Sequence, residues 1–184
     1  MTTSYEPFMQ DALAATKRDA LDESEALLRQ AMAQAPAAAM PHYLRATNHA
    51  HAGRYELAEA SYMACLTRAP DFAIARFQLG LLQATGGRPA IAHASWEPLL
   101  GLDDEHPLKL FARGLLALIG EQWAQARALI LDGIARNHDN EPLNDDMRGV
   151  LARVEHAQAE AALAGAQDAA PADAHFLIGA YRRQ

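Results

Sequence analysis

The side chains best suited to chemistry in this 184-residue chain are eight histidines, one cysteine and a few paired acids. His42, His49 and His51 form the densest histidine group. A metal ion held from one helix needs ligands about four residues apart, so that both imidazoles point at it, whereas His49 and His51 are two apart and face away from each other. His42 and His49 do share a face. No HExxH, CxxC or glycine-rich phosphate loop occurs, and Gly86-Gly87 lacks the flanking pattern of a phosphate cradle. Cys65 has no base beside it by spacing, and a lone cysteine on an apolar face behaves as a small hydrophobe. Asp103-Asp104-Glu105 and Asp145-Asp146 fall at expected helix starts, where acids suit the dipole. These spacings predict no catalytic residue, no metal ligand set and no cofactor, and they set aside a metal- or thiol-dependent enzyme.

The elements that position these residues repeat. From Pro41 to Pro70, and again from Phe72 to Asp104, two apolar-periodic helical segments flank a short glycine-containing turn. A shift of 34 residues, without a gap, places Ala46 on Gly80, Gly53 on Gly87, Ala58 on Ala92, Tyr62 on Trp96 and Leu66 on Leu100. The same shift runs forward to Gly114, Trp123, Ala126, Ile130 and Ile134, and back to Ala12, Leu21, Ser24, Leu28 and Met32. Pro36 and Pro70 close the first two periods at the same distance. Four periods therefore run at about residues 5–38, 39–72, 73–106 and 107–140.

A period of that length, with small residues in two columns and large ones in others, resembles the tetratricopeptide repeat. The resemblance implies an all-α fold: a right-handed α-solenoid of four helix pairs. The small columns Ala12, Ala46, Gly80, Gly114 and Ser24, Ala58, Ala92, Ala126 are expected at close helix contacts, and Cys65 joins the packing column Ala31, Leu99, Gly133. His42 and His49 fall on columns that pack the helix pair in this family. The chain departs from the pattern in two ways. Asp104 and His138 replace closing prolines, and Asp11, Arg45 and Arg113 stand where the family usually has leucine. A buried unpaired guanidinium is too costly to keep, so each arginine must reach solvent or pair with an acid, and Asp11 is the expected partner of Arg45.

Composition agrees with a helical chain. Alanine supplies 42 residues against two valines, which favours helix nearly everywhere and predicts no sheet. A net charge of −7 without a basic stripe argues against nucleic-acid binding. No apolar run reaches the length of a membrane span, and the start MTTSYEPFMQ lacks the pattern of a signal peptide, so a cytoplasmic location is expected. One cysteine cannot make an internal disulfide, which agrees with a reducing compartment.

Several helix boundaries are also legible. Asp22 and Glu25 form a plausible capping pair for the second helix, and Pro41 and Pro89 can open the third and sixth, where a missing amide costs nothing. HPLKLFARGLLALIG, apolar almost all round, must be covered on two sides. Beyond Pro142 the period breaks, and residues 142–164 read as a capping helix with Met147, Val150, Leu151, Val154 and Ala157 on one face. The array with its cap thus spans 1–164, and 165–184 read as a linker followed by a C-terminal segment that can form a short helix.

The family commonly binds ligands on the concave face made by the first helix of each pair. Carried onto this chain, that face has Met9, Tyr43, Phe77 and Phe111 in one row, Leu13, Thr47, Leu81 and Leu115 in the next, and Leu118 in a third. These rows lack the Lys, Asn and Arg that grip acidic peptide termini in a known subset of the family. They imply a groove for a hydrophobic peptide or helix, with the aromatics as anchors or as packing. The expected function is a non-catalytic adaptor for a protein or peptide partner. The alternative is a chaperone that shields a hydrophobic client before secretion or assembly. Phe176, Leu177, Ile178 and Tyr181 are expected either to dock in the groove or to extend the packing of the cap.

Overall fold

The computed structural model describes residues 5–164. The linker and the segment carrying Phe176, Leu177, Ile178 and Tyr181 lie outside the described residues. Between those limits the chain is all-helical, with no strand among the described residues. The helices are α1 (Glu6–Lys17), α2 (Leu21–Gln34), α3 (Met40–His51), α4 (Tyr55–Arg68), α5 (Ala73–Thr85), α6 (Pro89–Trp96), α7 (Pro107–Ile119), α8 (Trp123–Arg136) and α9 (Glu141–Ala164). A 3-10 segment, Glu97–Gly101, follows α6. Pro41 and Pro89 sit in the first turns of α3 and α6 as expected.

The 34-residue period reappears in the backbone hydrogen bonds. Where α1, α3, α5 and α7 end, the amides of Ala20, Arg54, Arg88 and Gln122 donate to the carbonyls of Ala15, His49, Gln83 and Ala117 at 2.8–2.9 Å. This six-to-one bond closes a helix whose next residue has turned left-handed. Asp19, Gly53, Gly87 and Glu121 occupy that position, with φ of 59°, 69°, 84° and 58°. Glycine adopts such a φ freely, whereas another residue costs about 1–2 kcal/mol there, less for aspartate, which visits the region routinely. Glu121→Gly is therefore expected to raise stability by about 0.5–1 kcal/mol, and Gly53→Ala to lower it by a similar amount. Thermal melts of the two variants check the pair of opposite signs.

Short turns of this kind lay the two helices of a pair against each other, and α1 packs on α2, α3 on α4, and α7 on α8. The small columns stand at these contacts. Ala12, Ala46, Ser24, Ala58, Ala92 and Ala126 are all buried, and so is Cys65. A side chain added at Gly114 would meet Ile130 Cγ1 at 2.6 Å, and one at Gly133 would meet Phe111 Cε1 at the same distance.

Two compact units divide the chain at Leu79 and Gly80, so that α5 runs through the division. In the first, Met9, Ala12, Leu28, Ala31 and Leu44 form a core flanked by Tyr5, Phe8, Leu27 and Met32. Beside it lies a polar knot. Asn48 Nδ2 donates to Ser24 Oγ at 2.8 Å, Ser24 Oγ donates to the Ala12 carbonyl at 3.0 Å, and Thr16 Oγ1 donates to Asn48 Oδ1 at 3.1 Å. These bonds tie α1, α2 and α3 together and satisfy polar groups that burial would otherwise penalise. In the second unit α7 buries Leu108, Leu110, Phe111, Leu115 and Leu118, as its all-round apolar pattern requires. Leu143, Met147, Val150, Leu151 and Val154 are buried along α9, which packs on α8.

Three local expectations are corrected. Asp22 does not cap α2: the tight turn places Ala20 at the cap, where no side chain bonds the helix amides. Glu25, instead of reaching back, accepts from Arg29 Nε at 3.0 Å and Arg45 Nε at 3.2 Å. Glu25, not Asp11, is thus the partner of Arg45, because α2 packs on α3 and brings its first turns to that arginine, while Asp11 faces solvent. The third concerns α6. Its counterparts α2, α4 and α8 each have 14 residues, whereas α6 has eight before the chain turns 3-10. Pro98 has no amide to donate and its ring crowds the preceding turn, which accounts for the early end.

Candidate functional site

The rows expected to line a groove lie mostly in the interior. Phe77, Phe111 and Leu115 have no exposed surface, Leu118 has 1%, and Met9 and Leu81 are also buried. Tyr43 is half-buried and packs against Tyr62 and Phe72, with ring centroids 6.2 and 5.1 Å away. Thr47 is half-buried and donates to the Leu44 carbonyl. Leu13 alone of the nine presents a large apolar surface to solvent, at 44% exposure. Met9, Phe77, Leu81, Phe111, Leu115 and Leu118 belong to the core of the helix pairs.

An open cleft lies elsewhere, in the second unit, with a volume of about 760 Å³. Pro89, Ala90 and His93 of α6 form one wall, and Arg113, Leu116, Ala117 and Ile119 of α7 form the other. Leu100 of the 3-10 segment closes one end, and Gln122 and Gln125 border it from the start of α8. Arg113, Leu116, Ala117 and Gly120 follow one another at spacings of three, one and three, which is a single stripe of α7. Leu100, Leu116 and Ile119 are half-buried, and Arg113 and His93 are exposed. The cleft is therefore apolar in its walls and open to water along one side.

Arg113 forms no hydrogen bond or ion pair with the described residues. It acts at longer range on Asp104, whose carboxyl is held below the usual range first by the hydrogen bond from Lys109 and then by the charge of Lys109, Arg113 adding to both. Lys109 Nζ lies 2.7 Å from Asp104 Oδ1 and also donates to the Leu102 carbonyl. Asp104 is thus already engaged. Sequence reasoning noted Arg113 as a departure from leucine but did not find the cleft.

His42, His49 and Cys65 are placed as packing residues. His42 and His49 are buried with no hydrogen bond to Nε2, while His51 is exposed and lies 3.5 Å from Asp19 Oδ1. Burial holds both buried imidazoles below the ordinary histidine value; Arg68 and Arg45 add to this at His42, and at His49 Glu25 opposes it while Arg45, Arg54 and Arg29 add. At Cys65 burial pushes the thiol up to about 11, far from the range of a nucleophile, with Arg68 opposing. Among the described residues no group of three or more His, Cys, Asp or Glu is placed to hold a metal ion. No helix of the described residues is long and apolar enough to cross a membrane. A scan of the chain against protein-family models finds no match, and a search of curated proteins finds none significantly similar to it.

Proposed function

We propose that the chain is a tetratricopeptide-like α-solenoid of four helix pairs with a capping helix, and that it works as a non-catalytic adaptor that binds another protein. The repeat supports the class: four left-handed turn residues 34 apart, each followed by the same closing hydrogen bond, reproduce the sequence period in the backbone. The observation that carries the function is the apolar cleft between α6 and α7. Half-buried leucine and isoleucine side chains beside an arginine that forms no ion pair with the described residues suit a protein segment, which contributes apolar anchors and leaves its polar face in water. A reducing location such as the cytoplasm suits the lone buried thiol.

A photo-crosslinking amino acid at Leu116 or Ile119 tests this in cells of the native host. The expected result is a discrete cross-linked protein from both cleft positions and none from the exposed control position Glu23, which lies in the other unit. Equal labelling from Glu23, or no product from the cleft, would remove the adaptor reading.

A further inference from the structure

The cleft also states what kind of segment it takes. We propose that it receives an amphipathic helix carrying an acidic side chain, and that Arg113 is the residue that selects it. This rests on the protein-binding reading above and adds the shape and charge of the occupant.

Shape comes from the α7 stripe. Arg113, Leu116, Ala117 and Gly120 run along one wall of the cleft, opposite Pro89, Ala90 and His93 from the first turns of α6. An incoming helix can pack on this stripe, since facing helices seat their side chains in the grooves between such stripes. A small ligand is a poorer match, because small-molecule sites enclose most of the ligand's surface and this cleft is open along one side.

Charge comes from Arg113. Among the described residues Arg113 is the only formally charged one lining the cleft, and no acid lines it. Asp104, the acid on which Arg113 acts, accepts its hydrogen bond from Lys109, so two cations share one carboxylate. A positive charge remains at the mouth of an apolar trough in a chain whose net charge is −7. A guanidinium offers a planar fork of donors that matches a carboxylate in two parallel bonds, which lysine cannot do. An acid one turn from the apolar face of a bound helix meets that fork, and a lysine there is repelled.

The test uses the full chain, isotopically labelled, and two synthetic 14-residue amphipathic helices that share their leucines and carry either glutamate or lysine at the polar positions. The leucine–glutamate helix is expected to bind and to perturb the amide signals of Leu116, Ala117, Ile119 and Gly120. Arg113→Ala should weaken it by about fivefold, the scale of one partly exposed ion pair, and Arg113→Glu should reverse the preference in favour of the lysine helix. Arg113 is exposed, so all variants should keep the parent's melting temperature, and that is measured alongside. Equal binding of both helices at the cleft overturns acid selection while leaving the adaptor reading standing. Failure of both helices to perturb the cleft overturns this proposal, and the cross-linking experiment then judges the adaptor reading separately. Dodecanoate binding more tightly at the same amides than the glutamate helix would also overturn it, in favour of a small amphiphile.

Discussion

Trp96→Ala is expected to cost about 3–5 kcal/mol of stability, because the indole is fully buried and its removal leaves a large hole. Gly80 is the reason the indole fits. A side chain built at Gly80 would lie within 2.5 Å of Trp96 Cδ1 and Cε2 and against Nε1, closer than real atoms approach. Gly80→Ala should therefore cost about 1–3 kcal/mol by itself, despite alanine being the better helix former. Introduced into Trp96→Ala, the same methyl meets no ring. There it is expected to be neutral, or to stabilise by up to about 1 kcal/mol through helix propensity. A double-mutant cycle by urea denaturation thus predicts a coupling on the order of 1–3 kcal/mol between the two sites. Additive losses would mean that the indole does not lie over Gly80, and the close approach of α5 and α6 at this point would have to be abandoned.

That pair of residues also shows what the sequence could convey. The shift of 34 residues set Gly80 in the column of Ala46 and Trp96 in the column of Tyr62, and the structure places glycine and indole in contact. Periodicity works here because a helix face is fixed by spacing, and a column of small residues marks a face that something large must approach. Depth is a different quantity. A face can be apolar because it lines a groove or because it is covered, and Phe77, Phe111 and Leu115 read the same in either case. Partnership is harder still, since Arg45 finds Glu25 across a contact between α2 and α3 that no spacing within one helix encodes. The shortened α6 was visible in principle: Pro98 stood in the chain, but the strength of the repeat around it concealed that it breaks one helix of the series. Asp19 and Glu121 likewise hide their turns, because only their counterparts Gly53 and Gly87 carry the residue type that signals a left-handed backbone.

Phe111→Ala separates the two roles that depth distinguishes. The ring has no exposed surface, and it lies against a glycine on α8: a side chain at Gly133 would meet Phe111 Cε1 at 2.6 Å and Cδ1 at 2.7 Å. Glycine at that position gives the ring its slot, as Gly80 does for the indole. Truncation to alanine empties the slot between α7 and α8, and α8 can close on it only by moving its own contacts with α9. The expected loss is about 3–5 kcal/mol, a large fraction of the total stability of a domain of this size. Partner capture by this variant should then fall only in proportion to the unfolded fraction, and should return when the temperature is lowered enough to refold it. Arg113→Ala has the opposite expected signature, weaker capture with an unchanged melt, because its side chain is exposed and forms no hydrogen bond or ion pair with the described residues. Measuring melt and capture for both variants places each residue on one axis or the other. A Phe111→Ala protein that melts like the parent yet captures nothing would return the aromatic row to the surface and move the binding site from the α6–α7 cleft back to the first helices of the pairs.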